Sequence, residues 1–125
     1  MGESRIHAVD HVHLEAPPEA LEGLRWFYGE LVGLKELSSE DGRLCFKSGL
    51  LELRIRLSPE AVVEPVDERA TFFVASLTEV SAELRERHIE YELLRGFDST
   101  DRRLTLVDPG GNRVCLRRDP SRMPL

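Results

Sequence analysis

The spacing of hydrophobic residues alternates along the chain between a strand-like and a helix-like period. Residues 7–15 alternate, with Val12 and Leu14 on one side and polar side chains on the other, which predicts a half-buried strand. Residues 17–33 carry apolar side chains at helical spacing, with prolines at the start and Gly33 at the end, which predicts a helix. Short alternating segments at 34–38, 43–47 and 50–57 predict three more strands. The first half therefore has the order βαβββ.

The same order of elements returns in the second half. An alternating strand at 69–75 precedes a helix at 76–88, which begins with a capping box, Ser76 and Glu79. Predicted strands at 89–94, 103–107 and 113–118 complete the unit. Residues 43–46 (RLCF) match residues 103–106 (RLTL) at an offset of 60, and residues 51–54 (LELR) match 114–117 (VCLR) at an offset of 63. The repeat predicts two matching modules, in which the turns before the last strand differ slightly in length.

The length of 125 residues is that of a single domain, residues 1–125. Its predicted parts are module one (6–57), a proline-containing linker (58–67), module two (68–118) and a polar tail (119–125). With one helix per module, both helices can cover the outer face of a curved, eight-stranded mixed sheet in an α+β fold. The other face is then concave. A pseudo-twofold between the modules would place a site in that cup, with equivalent positions of each module contributing residues.

Composition and charge argue against several classes of partner. The hydrophobic fraction of 41% and charged fraction of 32% are typical of soluble globular proteins. A net charge of −6 argues against nucleic acid or an anionic membrane as partner. No apolar run reaches the roughly 18 residues of a membrane helix. The acidic start of the chain lacks the pattern of a secretion signal, so the cytoplasm is the expected location. Cys45 and Cys115 lie on separate predicted strands and are expected to be free thiols.

Four passages of the chain resemble the vicinal oxygen chelate superfamily. They are Val9-Asp10-His11-Val12, residues 26–34 (WFYGELVGL), Val74-Ala75-Ser76-Leu77 and Asp108-Pro109-Gly110-Gly111-Asn112. The superfamily includes glyoxalase I, bleomycin-resistance proteins, fosfomycin-resistance proteins and extradiol dioxygenases. The resemblance covers about residues 6–118 and implies the glyoxalase/bleomycin-resistance/dioxygenase fold. It also implies a homodimer, which is common in the superfamily, and a possible divalent metal held at four equivalent strand positions.

At those four positions the chain carries His11, Glu52, Arg69 and Cys115. His11 and Glu52 match the ligands of the superfamily and suit zinc, nickel, manganese or iron. Arg69 stands where a histidine is expected and cannot bind a metal, because its guanidinium stays protonated. Cys115 stands where a glutamate is expected and can bind zinc as a thiolate. The resemblance therefore predicts an incomplete metal site, and no cofactor is required.

Two classes of function follow from the resemblance. The first is a metal-free protein, similar to the bleomycin-resistance branch, that binds a small anionic or aromatic molecule. Its predicted ligand-binding residues are His11, His13, Glu52, Arg54, Arg69 and Cys115, and the inward arginines, with Arg56 and Arg117 nearer the rim, suit a carboxylate or phosphate. The second is a divalent-metal enzyme of the glyoxalase or dioxygenase type that uses His11 and Glu52. We expect an ion pair or a near approach of Arg69 and Glu52 at the floor of the cup, formed within one chain or across a homodimer.

Overall fold

The computed structural model of the chain describes residues 10–40, 42–64, 67–96 and 102–118. Module one contains strands β1 (Asp10–Ala16), β2 (Lys35–Glu40), β3 (Arg43–Ser48) and β4 (Leu51–Leu57). Module two contains strands β5 (Glu68–Val74), β6 (Glu92–Arg95), β7 (Arg102–Val107) and β8 (Arg113–Arg118). The predicted tail 119–125, residues 6–9 of predicted module one and residues 65–66 of the predicted linker lie outside the described residues.

The strands form two four-stranded mixed sheets of the same topology, β1-β4-β3-β2 and β5-β8-β7-β6. In each sheet the first strand pairs in parallel with the last strand of its module, and the other pairs are antiparallel. The predicted βαβββ repeat and fold class are confirmed. The eight strands are divided between two hydrogen-bonded sheets, because within the described ranges no strand of one module pairs with a strand of the other.

Each module has one helical segment between its first and second strands. The first helix combines a 3₁₀ turn (Pro18–Ala20), an α-helical turn (Leu21–Leu24) and a π-helical stretch (Arg25–Leu31). The second helix (Leu77–Glu86) begins at Ser76, whose Oγ accepts a hydrogen bond from the Glu79 amide at 3.1 Å. This cap satisfies one of the free amides of the first turn. Neither helix, within the residues described, is long and apolar enough to cross a membrane.

One hydrophobic core joins the two modules. Tyr28 of the first helix is fully buried at its centre. Its ring centroid lies 5.9 Å from that of Phe46 on β3 and 5.3 Å from that of Phe72 on β5. Outside this core the Arg87 guanidinium lies 4.1 Å above the ring of Trp26, which links the two helices. The helices thus cover the apolar faces of both sheets, and the alternating polar residues occupy the opposite faces.

The hairpin between β7 and β8 attaches module two to module one. Five residues, 108–112, form this connection, whereas two residues join β3 to β4, as the change of repeat offset predicted. The Asp108 carboxylate accepts hydrogen bonds from the amides of Gly110 (2.8 Å) and Asn112 (2.9 Å) and from the Tyr28 hydroxyl (2.5 Å). Asn112 Nδ2 donates to the main-chain carbonyl of Glu15 on β1 at 2.9 Å. Burial raises the pKa of Asp108, although these hydrogen bonds act in the opposite direction.

Candidate ligand site

The polar face of the first sheet carries three rows of side chains that cross all four strands. Residues opposite one another on paired strands share a face, so the register defines each row. In the strand order β1-β4-β3-β2, row A is His11, Glu52, Lys47 and Lys35; row B is His13, Arg54, Cys45 and Ser38; and row C is Glu15, Arg56, Arg43 and Glu40.

A cavity of about 670 Å³ lies against rows B and C. All eight residues of these two rows line it, together with Glu52 of row A. Its apolar lining comes from Leu14, Leu37 and Ile55. The volume lies within the range of roughly 300–1,000 Å³ that is usual for small-molecule sites. This combination of size, charged rows and apolar walls makes the cavity the candidate ligand site.

Glu52 forms an ion pair with Arg54, two positions along the same strand. Its Oε1 accepts a hydrogen bond from Arg54 Nε at 2.7 Å and forms an ion pair with Nη2 at 2.6 Å. The hydrogen bond from Arg54 lowers the pKa of Glu52, and the charges of His11 and Lys47 act in the same direction. The predicted Arg69–Glu52 ion pair is wrong within the chain. Residues two apart on a strand share a face, so Arg54 reaches the carboxylate without crossing to the other module.

Arg69 lies at the junction of the modules. The register between β5 and β8 shifts between Glu68 and Ala70, so Arg69 lies at an irregularity of the strand. It lines a separate cavity of about 220 Å³ together with His13 and Glu15 of β1. Arg69 is therefore close to the β1 end of rows B and C, whereas Glu52 lies in row A of the first sheet.

Cys115 is buried in the second sheet. It is 1% exposed and lies between Thr71 of β5 and Thr105 of β7. Burial raises the pKa of its thiol, and the neighbouring Glu68 raises it further. The side chain is thus held as a neutral thiol. Cys115 therefore lies in the second sheet, whereas His11 and Glu52 lie in the first, and these three residues do not form a metal-ligand group within the described part of the chain.

Solved structures show the same architecture over nearly the whole chain. A glyoxalase family protein from Bacillus anthracis is 28% identical over 93% of this chain and 97% of that chain, with a TM-score of 0.71. The fold is that of the vicinal oxygen chelate superfamily, as the resemblance predicted. The fosfomycin resistance protein FosX from Listeria monocytogenes has a TM-score of 0.71 at 15% identity, covering 94% of this chain and 99% of that one. Lactoylglutathione lyase from Agrobacterium tumefaciens has a TM-score of 0.64 at 19% identity, covering 90% of this chain and 93% of that one. No family model and no curated protein matches the sequence.

The described residues do not provide a complete set of metal ligands. His11 and Glu52 are directly opposite each other on the paired strands β1 and β4. Oε1 of Glu52, however, already forms an ion pair with the Arg54 guanidinium. Among the described residues no group of three or more His, Cys, Asp or Glu side chains is placed to hold a metal. Zinc sites of proteins use at least three such ligands. The ligands offered by residues 10–40, 42–64, 67–96 and 102–118 of one chain therefore do not fit a divalent metal.

The structure brings three of the six candidate residues to the large cavity: His13, Glu52 and Arg54. His11 lies beside Glu52 without lining that cavity, and Arg69 and Cys115 lie elsewhere.

Sequence reasoning missed Arg43 and Cys45 on β3, which also line the cavity. A signal for them was present in the sequence. The two-residue turn after Ser48 sets Cys45 opposite Arg54 and Arg43 opposite Arg56, which assigns both to the polar face.

Proposed function

We propose that the protein binds a small anionic or aromatic organic molecule in the cup of the first sheet, without a complete metal site. The observation that carries this proposal is the composition of the 670 Å³ cavity, in which Arg43, Arg54 and Arg56 lie beside apolar side chains. A guanidinium group is planar and donates in pairs, which suits carboxylate and phosphate oxygens. Leu37, 50% exposed at the same cavity, offers apolar surface for the body of a ligand.

A homodimer is part of the same proposal. Phe73 and Val107 are 53% and 37% exposed on the polar face of the second sheet. Large apolar side chains on such a face favour a covered surface. A second copy of the chain would cover it and enclose the cup, with on the order of 1,600 Å² buried in total. Light scattering at high micromolar concentration should give the mass of a dimer, and a monomer would contradict this part. The cytoplasm remains the location predicted from the sequence.

Binding of an anion can be tested with phenyl phosphate as the probe. A ligand that binds the folded state raises the melting temperature in proportion to RT ln(1 + [L]/Kd). We expect phenyl phosphate to stabilise the protein and Arg56→Gln to reduce this stabilisation. Arg95→Gln serves as the matched control, because Arg95 is exposed on β6 and does not line the cavity. Equal stabilisation of both variants would contradict the assigned site.

Metal content separates the proposal from the alternative of a divalent-metal enzyme that uses His11 and Glu52. The protein should be purified without chelator and analysed for zinc, nickel, manganese and iron. We expect substoichiometric metal. His88→Asn is a suitable control for His11→Asn, since His88 lies outside the site at a positive φ of 58° that asparagine tolerates. Stoichiometric metal that is lost in the His11 variant and kept in the His88 variant would favour the enzyme instead.

A further inference from the structure

Row C places two guanidinium groups side by side with a carboxylate on each flank. Arg43 and Arg56 are direct partners on β3 and β4. Glu40 lies beside Arg43 on β2, and Glu15 lies beside Arg56 on β1. All four side chains are exposed and line the large cavity. The order of charges across the sheet is therefore negative, positive, positive, negative.

The central pair of row C is unfavourable for the sheet itself. Like charges directly opposite each other on neighbouring strands destabilise a sheet, since their Cα atoms are about 4.5–5.5 Å apart. Glu52 and Arg54 neutralise each other in the neighbouring rows. In row C, by contrast, Arg43 and Arg56 form no ion pair within the described part of the chain. Local violations of this kind occur where a site is built for a ligand.

The lining of the cavity is balanced in formal charge, with three arginines and three glutamates besides His13. A simple anion would meet repulsion from the flanking carboxylates of row C, and a simple cation would meet repulsion from the central arginines. A molecule that carries both charges avoids both kinds of repulsion when each charge lies against its opposite in row C. The cavity therefore selects a pattern of charge rather than a net charge.

We propose that row C recognises a zwitterion, with its anionic oxygens between Arg43 and Arg56 and its ammonium group against Glu40. This inference specifies the ligand class of the same cavity, and it rests on the proposed function. Glu40 is the better ammonium partner, because Glu15 also lines the smaller cavity, where Arg69 is a second lining residue. Neighbouring strands are about 4.8 Å apart. An ammonium group separated from the anionic group by two carbons matches that spacing.

Three probes with one carbon skeleton test this assignment: phosphoethanolamine, ethyl phosphate and ethanolamine, each titrated calorimetrically into the full chain. We expect phosphoethanolamine to bind roughly three- to fivefold more tightly than ethyl phosphate, as one additional exposed ion pair predicts. Ethanolamine should show no measurable binding. Glu40→Gln should abolish the preference for phosphoethanolamine without weakening ethyl phosphate, whereas Arg43→Gln should weaken both phosphates.

Control variants are Glu86→Gln on the second helix and Arg95→Gln on β6, which are exposed and lie away from the cavity. Ethyl phosphate binding at least as tightly as phosphoethanolamine would overturn the zwitterion and leave the anion-binding function intact. A preference that survives Glu40→Gln and disappears in Glu15→Gln would overturn the assignment to Glu40. Binding of neither phosphate, with all variants folded by circular dichroism, would overturn both the inference and the proposed function.

Discussion

Replacing Tyr28 by phenylalanine isolates one hydrogen bond between the modules, because phenylalanine keeps the buried ring. The Tyr28 hydroxyl donates to Oδ2 of Asp108 at 2.5 Å, whereas the amides of Gly110 and Asn112 donate to Oδ1. Among the described residues, the remaining donor to Oδ2 without the hydroxyl is Asn112 Nδ2 at 3.4 Å. A hydrogen bond to a charged group contributes about 1.5–3 kcal/mol. We expect a loss of about 2 kcal/mol in the free energy of unfolding, on the order of 8 °C in melting temperature.

The loss should also depend on pH. Burial raises the pKa of Asp108 above its ordinary 3.8, whereas the hydrogen bond from Tyr28 lowers this pKa. Removing that hydrogen bond in Tyr28→Phe therefore raises the pKa of Asp108 further. Folding therefore favours the protonated acid. The cost of burying the carboxylate is present above the folded pKa and disappears as the pH falls through it. Tyr28 remains a protonated donor throughout, because burial, and then the Asp108 charge, raise its pKa well above 10.0.

Urea unfolding at neutral pH and near the ordinary aspartate pKa of 3.8 measures this dependence. The deficit of Tyr28→Phe should be largest at neutral pH and should shrink on acidification. Tyr91→Phe is the matched control, since its hydroxyl accepts a hydrogen bond from Arg85 at an exposed position. A deficit below about 0.5 kcal/mol at neutral pH, or an equal deficit at both pH values, would contradict a stabilising hydrogen bond to an ionised Asp108.

Three further changes test individual contacts. Gly110→Ala would place a Cβ 2.6 Å from Cβ of Ala16, so we expect about 1–3 kcal/mol of destabilisation in urea, and an unchanged midpoint would contradict the docked hairpin. Ser76→Ala should lower stability by about 1 kcal/mol, with Ser76→Asp near wild type; equal losses would show that the cap is not the cause. In a thiol-labelling time course on native protein, Cys45 should react quickly and Cys115 slowly, because Cys115 is 1% exposed with a pKa raised by burial. Fast reaction of both thiols would contradict that burial.

The order of elements could be predicted from the sequence because its signals are local. Alternation, turn residues and the capping box around Ser76 act over a few positions, and the structure contains each of the corresponding elements. The internal repeat also predicted that the turns before β4 and β8 differ in length. The π-helical stretch Arg25–Leu31 was not predicted, since apolar residues at helical spacing fit an α-helix equally well.

The candidate site was less predictable, because matching equivalent positions of the two modules does not determine which residues lie opposite each other on paired strands. Counting along the repeat assigned Arg69 to the position of His11, but the register shift at Arg69 sets Thr71 opposite Cys115 instead. The partner of Glu52 was also misassigned, although the sequence contained the signal. Arg54 stands two positions further on the same strand face, and such a near neighbour needs no tertiary contact to form the pair.

The hairpin at 108–112 has a consequence for how the chain folds. Its hydrogen bonds connect residues that are 80 positions apart (Tyr28 and Asp108) and 97 positions apart (Glu15 and Asn112). Contacts of such long range are slow to form, since the entropy of the intervening loop is lost before they stabilise anything. An isolated first module would also lack Phe72, against which the Tyr28 ring packs. The duplicated halves should therefore unfold in a single cooperative transition, and neither half on its own should be a folding unit.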